Sequence, residues 1–416
     1  MHRILRPTVA LLLRGGLPAV LLTALLIRLL FVLVTDDAQR WFTDSNHYYL
    51  LGVNWLKYGQ FTMFVEAGFP ESIRLPGYPL FLALFGETLA YPVVILLQCV
   101  ASAATIAVLF HLGVRTGIAR QWALAASWFM AWMPLDIMLA GTYLSETLFN
   151  LTFYGGLLCI LSLRKGWTIT GGVLFGVAAL TRGQGLWLVI PAMMMAYHTV
   201  GRKSWLAAAP FVLLVFLWMI RNEQMFNRWF VTDAATVVAL HYSVPATLAK
   251  AEGNEAEKHF QTYRGWSEGT DWSNPQEVNQ YMAKARSEIR RVIGQHPVSF
   301  AQVWAKNAAG ILLAPGRGMT THYFSLTAIQ WVVLGISAAM AMLLLAGTFG
   351  AFATSLFQPK MTTLMWLMMV AIVIGSASFS TIDARFRSPA VVAMLLASAW
   401  FFQKAASRWS VKQRPL

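Results

Sequence analysis

Long apolar runs separated by short polar stretches dominate the chain. We identify ten runs: 17–34, 92–113, 122–140, 144–163, 169–180, 186–197, 205–220, 328–354, 364–378 and 389–402. A helix that crosses a bilayer needs about 20 mostly apolar residues. We count all ten runs as spans, and the two shortest (169–180 and 186–197) are short for a bilayer. The pattern predicts an all-α polytopic membrane protein with about ten transmembrane helices.

One long polar stretch, residues 222–325, interrupts this pattern. Within it, 275–293 reads as an amphipathic helix because apolar side chains recur near a period of 3.6: Val278, Tyr281, Met282, Ala285, Ile289 and Ile293. We expect a small subdomain outside the membrane. The chain then divides into an N-terminal transmembrane module (1–221), the polar segment (222–325) and C-terminal transmembrane helices with a basic tail (326–416).

Composition agrees, with 57% hydrophobic and 12% charged residues and a mean hydropathy of +0.56. The net charge of +14 does not indicate nucleic acid, because the basic residues lie in short loops and at the chain ends. The two cysteines lie in separate apolar runs, and the histidines lack ligand spacing, so no Cys or His metal site is indicated.

The distribution of charge predicts an orientation. If the runs alternate across the membrane, one side collects the following basic residues: Arg115, Arg120, Arg164, Lys165, Arg202, Lys203, Lys360, Lys404, Arg408, Lys412 and Arg414. The positive-inside rule makes that side, with both termini, cytoplasmic. The other side collects acids, which the rule does not require: Asp36, Asp37, Asp44, Glu66, Glu71, Asp136, Glu146 and Asp383. We therefore look for chemistry on the outer side.

The first outer loop, residues 36–79, is the candidate catalytic loop. Asp44 precedes an amphipathic turn, and a rigid Pro-Gly-Tyr-Pro turn at 76–79 returns the chain to the membrane. An aspartate there is also suited to cap a helix over 45–57, and the two roles are compatible. Glu146 begins another apolar run, where the helix dipole alone favours an acid.

Three arginines are candidates for binding phosphate on this side. Arg182 separates two short apolar runs, where a charge is costly unless it is paired or faces water. Arg385 and Arg387 lie on the outer side against the topological preference of arginine, and guanidinium groups bind phosphate as a bidentate fork. Arg28, inside the first run, either pairs with an acid or snorkels to the interface.

These features together resemble the polytopic C-type (GT-C) glycosyltransferases of the protein O-mannosyltransferase and aminoarabinose-transferase kind, which take sugar from a polyprenyl-phosphate carrier. The resemblance rests on short motifs along nearly the whole chain: Asp44 with Tyr48 and Gly59, then 74–79 (Arg-Leu-Pro-Gly-Tyr-Pro), 145–147 (Ser-Glu-Thr), 180–182 (Leu-Thr-Arg), 221–222 (Arg-Asn), 296–297 (His-Pro) and 385–389 (Arg-Phe-Arg-Ser-Pro). The chain departs from many relatives in lacking an Asp-Glu pair after the first run and in its small polar segment.

The resemblance implies a glycosyltransferase that moves a sugar from a polyprenyl-phosphate donor to an envelope glycan, lipid or protein. The low cysteine count and compact loops favour a bacterial inner membrane. Asp44 would be the catalytic base and Glu146 a second catalytic carboxylate. The implied donor-phosphate and substrate-binding residues are Tyr48, Arg74, Tyr78, Arg182, Arg385 and Arg387. No cofactor is expected, although a divalent cation between Asp44 and Glu146 stays an alternative.

The chemistry fits these residues on physical grounds, because a phosphate leaving group needs cationic stabilisation and the acceptor hydroxyl needs a base. One base without a covalent nucleophile predicts inversion at the anomeric carbon. Two other readings remain: a transporter or flippase of a lipid-linked sugar, and a non-catalytic subunit of an envelope-polymer machine. Transporters commonly place ionisable groups near the bilayer midplane in related halves. Here the acids lie toward one face and no internal repeat is visible.

Overall fold

The structure is a computed structural model, and it describes residues 16–66, 68, 70–85, 91–162, 164–324 and 328–412. Within these ranges each of the ten apolar runs is mostly helical, and the ranges contain no strand. The prediction of an all-α protein is therefore confirmed. The basic stretch 1–14 and Arg414 lie outside the described residues.

The helices follow one another with few long loops. The N-terminal module contains α1 (Gly16–Val34), α2 (Thr43–Tyr58), α3 (Gly77–Ala83), α4 (Tyr91–Arg115), α5 (Arg120–Ala131), α6 (Pro134–Ala140), α7 (Glu146–Ile160), α8 (Lys165–Thr181), α9 (Gln184–Val200) and α10 (Ala208–Phe226). The polar segment contains α11 (Ala234–Val238), α12 (Val244–Glu252), α13 (Ala256–Glu268), α14 (Pro275–Gln295), α15 (Pro297–Leu313) and α16 (Arg317–Tyr323). The C-terminal part contains α17 (Ala328–Phe357), α18 (Met361–Ala377) and α19 (Ser388–Lys412).

Fewer helices than ten are long enough to be counted as membrane spans by themselves. Within the described ranges five stretches are long and apolar enough: Gly16–Val34, Pro92–Arg115, Gln184–Phe226, Ala328–Phe357 and Ala384–Arg408. The pair α5 and α6, bent by 62°, raises the number to six. Helices α7, α8 and α18 have only 15, 17 and 17 residues, or about 22–26 Å at 1.5 Å per residue. The structure confirms a protein with several candidate spans, and the count of ten stays a prediction.

The first span shows how the apolar surface is arranged. On one side of α1, Val20, Ala24, Arg28 and Phe31 are buried against neighbouring helices. On the other, leucines at a spacing of three or four are more than half exposed: Leu22, Leu26, Leu30 and Leu33. A row of exposed leucine side chains is unfavourable in water and is suited to contact with lipid. The sequence and the structure thus both indicate a membrane protein.

The polar segment has a hydrophobic core of its own, built around the amphipathic helix. The predicted helix 275–293 is confirmed as α14, which begins at an Asn274 side chain that accepts a hydrogen bond from the Gln276 amide. Its buried face consists of Val278, Tyr281, Met282, Ala285 and Val292. Ile289 and Ile293 are only partly buried, so the face rotates slightly at its C-terminal end. Phe226 at the end of α10 packs into this core and joins the segment to the membrane part.

The loop between α1 and α4 folds back onto the helices of the N-terminal module, because two glycines permit close contact. Gly52 in α2 lies against the backbone of Pro79 in α3, and a Cβ at Gly77 would come within 2.8 Å of the Leu180 oxygen and the Thr181 nitrogen. Gly59 ends α2 in the left-handed conformation, with φ of 68°. The candidate catalytic loop is thereby held directly beside the end of α8 and Arg182.

Candidate functional site

Asp44 lies in the first turn of α2 and is the centre of the candidate site. The Ser45 hydroxyl accepts a hydrogen bond from the Phe42 amide at the start of the helix, so Asp44 is not its cap. Its two oxygens instead bind arginines from distant parts of the chain. Arg74 Nη2 donates to Oδ1 at 3.0 Å, and Arg385 Nη2 donates to Oδ2 at 3.1 Å. The structure therefore brings three of the predicted site residues together.

This arrangement fixes the charge of Asp44. Partial burial acts to raise the pKa of the carboxyl, but the positive charges of Arg385 and Arg74 and their hydrogen bonds outweigh it. The pKa of Asp44 therefore lies below its ordinary value of 3.8. The side chain is still 30% exposed, so the carboxylate is open to an incoming molecule.

A second carboxylate and arginine pair lies close by. Glu146 is the first residue of α7, and its Oε1 is 2.8 Å from Arg182 Nη1, which also donates to the Ser145 hydroxyl at 3.0 Å. The Glu146 side chain is only 2% exposed, and its Oε2 has no hydrogen-bond partner among the described residues. Removal of one member of a buried pair leaves an uncompensated charge, which typically costs about 3–5 kcal/mol.

Tyr48 is near both pairs. It is on the same face of α2 as Asp44, one turn later, and its ring packs edge to face on Tyr78 at 5.1 Å between centroids. Burial is the main cause that raises the pKa of the Tyr48 hydroxyl, and the charges of Asp44 and Glu146 add to it while Arg182 and Arg74 oppose it. All four charged groups are therefore within electrostatic range of one phenol.

The backbone around Arg74 is held on both sides. Glu71 Oε1 accepts hydrogen bonds from the amides of Ile73 and Arg74 at 2.6 and 2.8 Å. From the polar segment, the Asp233 amide donates to the Ser72 oxygen at 2.9 Å and the Thr232 hydroxyl donates to the Ile73 oxygen at 2.6 Å. The position of Arg74 thus depends on residues more than 150 positions away in the sequence.

Asp233 connects this loop with α14. Its carboxylate is 1% exposed and accepts hydrogen bonds from both terminal nitrogens of Arg228, at 3.0 and 2.6 Å. Arg286 of α14 donates to the same carboxylate at 3.0 Å. This ion-pair group therefore fixes the polar segment on the loop that carries Arg74.

Two predicted site residues, Tyr78 and Arg387, make their contacts outside the Asp44 and Glu146 ion pairs. The Tyr78 ring is buried, and its hydroxyl donates to Gln98 Oε1 at 2.6 Å, while Gln98 donates to the Thr142 oxygen. Arg387 is 3% exposed, and its guanidinium donates to the carbonyls of Ile311, Leu312 and Ala314 at the end of α15. The structure does not bring Arg387 to Asp44, so its geometry supports a helix-capping role instead of phosphate binding.

Sequence reasoning missed two residues at this site. Asp383 caps the short turn Ala384–Arg387, where it accepts a hydrogen bond from the Arg385 amide, and its other oxygen is 3.3 Å from Arg385 Nε. In the sequence, the position of this aspartate two residues before Arg385 was the signal that could have predicted the cap. His47 lies three residues after Asp44, and its Nδ1 is buried without a partner among the described residues. Burial first, and the charge of Arg74 second, lower the pKa of His47, while the charge of Asp44 opposes them.

The charges at the site do not favour a divalent cation. Asp44 and Glu146 each face an arginine already, so a metal ion between them would have to displace guanidinium groups. The donor set is better suited to an anion that competes for the arginines.

An open cleft lies beside Arg385. It has a volume of about 430 Å³ and lies between the end of α15, the start of α16 and the turn at Ile382–Ala384. Most of its wall is apolar, from residues such as Leu313, Pro315 and Ile382, and Asp383 and Arg317 are its charged members. This size lies within the usual range for small-molecule and cofactor sites.

Comparison with known proteins does not assign the chain to a class. No family model matches it, and no curated protein matches it. The function must therefore be argued from the site.

Proposed function

We propose that this protein is a membrane glycosyltransferase that moves a sugar from a polyprenyl-phosphate donor to an envelope glycan, lipid or protein acceptor. The observation that carries the proposal is the Asp44 carboxylate held by Arg74 and Arg385 beside the Glu146–Arg182 pair. Such a group combines a proton acceptor with cations for a phosphate, which are the two requirements of transfer from a lipid phosphate.

The proposed mechanism begins with competition for the arginines. A donor phosphate that binds Arg74 and Arg385 weakens their hold on Asp44, and this restores the basicity of the carboxylate. Asp44 then accepts the proton of the acceptor hydroxyl while the acceptor oxygen bonds to the anomeric carbon. The bond from that carbon to the phosphate oxygen breaks, and its electron pair leaves with the phosphate. A single displacement of this kind inverts the anomeric carbon.

The surrounding residues have roles consistent with this reaction. The unpartnered Oε2 of Glu146 would bind a sugar hydroxyl once donor binding opens its buried surroundings, with Arg182 holding the carboxylate in place. The apolar cleft beside Arg385 is suited to the carrier next to its phosphate. We assign Tyr48 to contact with the sugar, and Tyr78 to support of the Tyr48 ring.

The proposal includes a location and a topology. We place the protein in the bacterial inner membrane with about ten spans, both termini in the cytoplasm and the Asp44 cluster on the periplasmic side. The excess of Lys and Arg in the loops of the opposite side supports this orientation. The stretch Gln184–Phe226 supports the larger count of spans. It has 43 residues and is divided at Gly201, where φ is 71°.

Transport of a lipid-linked sugar is a second candidate, favoured by one observation. Arg28 and Asp136 are ionisable groups buried within candidate spans, at 0% and 5% exposure, and intramembrane charges often mark transport pathways. The two candidates differ in what they require. A transferase turns over in detergent, whereas transport needs a closed bilayer.

The test uses purified full-length protein in detergent with a panel of radiolabelled polyprenyl-phosphate sugars and an envelope lipid and glycan extract. We expect one labelled sugar to pass to the extract. Cells that lack the protein should lose that sugar from the envelope and accumulate its lipid donor. If the cells accumulate the donor while the purified protein transfers nothing from any sugar of the panel, the transport function replaces the transferase.

A further inference from the structure

A small polar cavity lies among the helices of the membrane part. Its wall contains six polar side chains and two apolar ones, and the polar members are Ser102, Thr105, Asp136, Thr147, Asn150 and Ser388. The space available to the centre of a water-sized sphere is about 10 Å³. This is about the least volume that holds one water molecule.

Two acceptors at this cavity lack partners. Asp136 and Asn150 are 5% and 4% exposed, and Oδ2 of Asp136 and Oδ1 of Asn150 have no hydrogen bond within the described part of the chain. A buried polar atom without a partner costs about 1–3 kcal/mol, more for a charged one. No ion pair within 4.0 Å joins Asp136 to a basic residue of the described ranges.

Two hydroxyl groups at the same cavity have protons to donate. Ser102 Oγ accepts from Arg28 Nε at 2.8 Å, and Ser388 Oγ accepts from Asn150 Nδ2 at 3.0 Å. A serine hydroxyl that accepts one bond still carries its own proton. By contrast, the hydroxyl protons of Thr105 and Thr147 are used, on the carbonyls of Ala101 and Leu139.

We propose that the cavity binds one internal water molecule. The water would donate to Asp136 Oδ2 and Asn150 Oδ1 and accept from the hydroxyls of Ser102 and Ser388. Two acceptors and two donors match the four hydrogen bonds of water, and buried waters typically make about three. Through Ser102 the water would link the Asp136 carboxylate to the Arg28 guanidinium without direct contact.

A metal cation fits the same space less well. Arg28 and Arg387 are both within electrostatic range of Asp136, so two positive groups already surround the single carboxylate. A further cation would meet repulsion from both, and the low dielectric of the membrane part would strengthen it. The charge of the surroundings therefore favours a neutral ligand.

The water would connect elements that carry the proposed active site. Thr147 and Asn150 belong to α7, which begins at Glu146, while Ser388 begins α19 directly after the turn that holds Arg385. Asp136 is in α6 and Ser102 in α4. One molecule would thus stabilise the junction of four helices behind the Asp44 cluster.

High-resolution cryo-electron microscopy of the full protein in lipid nanodiscs tests the proposal. We expect one density peak within about 3 Å of both Asp136 Oδ2 and Asn150 Oδ1. The Asn150→Leu variant should lose the peak. The Thr105→Val variant should keep it, because the Thr105 proton is already bound to Ala101. An empty cavity in the wild type, or a peak retained in Asn150→Leu, would overturn the proposal.

A second measurement separates water from an ion. Thermal unfolding should have the same midpoint in sodium, potassium and N-methylglucamine chloride of equal ionic strength. A rise of several degrees in one of the metal salts, absent in Asn150→Leu, would show a cation site instead of a water site. Both measurements are independent of glycosyl transfer, so failure of the proposed function leaves this inference standing.

Discussion

Two requirements on Asp44 conflict before the donor binds: its ion pairs keep the carboxylate charged, whereas catalysis requires it to accept a proton. Both oxygens accept hydrogen bonds from guanidinium groups, which keeps the carboxylate charged but makes it a weak base. A good general base has a pKa near the working pH. The proposed reaction resolves the conflict if the donor phosphate takes the two arginines. Donor binding would then be the event that activates the base.

The Asp44→Asn substitution tests this role. Asparagine keeps the shape of the side chain and an acceptor oxygen, but it has no basic oxygen for a proton. We expect turnover to fall by about 100-fold or more, the usual contribution of a general base, with donor binding largely retained. Transfer is measured in detergent with protein amounts normalised by fluorescence size exclusion.

The matched control is Glu66→Gln, which removes an exposed acid from the same loop without changing the ion pairs of Asp44. It should leave transfer within about two-fold of wild type, since exposed charges contribute little. Near-normal turnover in Asp44→Asn would rule out Asp44 as the base.

The lowered pKa of Asp44 predicts a particular dependence of stability on pH. A carboxyl with a lowered pKa in the folded state contributes stability that is complete above 3.8, its ordinary value, and is lost as the pH falls further. The difference in unfolding midpoint between wild type and Asp44→Asn should therefore be constant from pH 8 to about 5. Below pH 3.8 the difference should shrink. Differential scanning fluorimetry in detergent gives the midpoints, and a difference that closes near pH 6 would contradict the ion pairs.

At the scale of residues, sequence reasoning found charges whose placement was unusual. Asp44 and Glu146 stood out as acids on the outer side, Arg182 as a charge between two apolar runs, and Arg385 as an arginine on the outer side. The structure pairs them. Sequence reasoning failed to separate Arg385 from Arg387, since two positions in a short turn face opposite directions. Only the three-dimensional structure shows that Arg387 caps α15.

At the scale of elements, the contact between α3 and α8 positions the first loop. Gly77 lies so close to Leu180 and Thr181 that a Cβ would meet backbone atoms at 2.8 Å. We expect Gly77→Ala to move α3 away from Arg182 and to lower both the unfolding midpoint and transfer. Gly155→Ala in α7 is the control, because a Cβ there meets nothing within 4 Å. That control should be neutral or more stable by up to about 1 kcal/mol, and equal effects of the two would contradict the close contact.

The contact between α14 and the first loop gives a second prediction at the scale of elements. Arg286 binds Asp233, whose backbone holds Ser72 two residues before Arg74. We expect Arg286→Gln to raise the KM for the lipid donor by about three- to ten-fold, with kcat less affected. This is less than the loss of a direct charged hydrogen bond, because Arg228 still holds Asp233. Steady-state kinetics with the donor varied measure the change. Arg290→Gln, on an exposed face of the same helix, should change neither constant.

The helices themselves were predictable and their interruptions were not. The apolar runs are mostly helical because a helix satisfies the backbone hydrogen bonds of such a run within the run itself, where water is absent. The run 122–140, however, is divided into α5 and α6 with a bend of 62° at Trp132 and Met133. The hydrophobic pattern continues through the bend, so only Pro134 marked it in the sequence.

At the scale of the whole molecule, the orientation is open to direct measurement. Single cysteines at Gln60, Lys203 and Gly269 are introduced into a background without Cys99 and Cys159. The excess of basic residues predicts that an impermeant maleimide labels Gln60→Cys and Gly269→Cys in intact cells and labels Lys203→Cys only after lysis. The reverse pattern would place the Asp44 cluster in the cytoplasm.

The number of membrane spans is a property of the whole molecule that the sequence alone does not determine. The apolar pattern alone predicted ten, whereas five or six described stretches are long enough individually. The difference arises because α7, α8 and α18 have only 15 to 17 residues, and because the runs 186–197 and 205–220 lie in the single stretch Gln184–Phe226. Tilt and local thinning decide such cases, and neither is encoded in the apolar period.

The buried Arg28 has a consequence for biosynthesis. Its guanidinium binds the Ala24 carbonyl of its own helix, but its other partners are Ser102, 74 residues later, and the Ala131 carbonyl, 103 residues later. When α1 leaves the ribosome and enters the translocon, those partners do not yet exist. We therefore expect the Arg28 guanidinium to lack these hydrogen bonds in the nascent first helix, and the helix to be retained securely in a bilayer only after α4 and α5 have been translated and have packed against it.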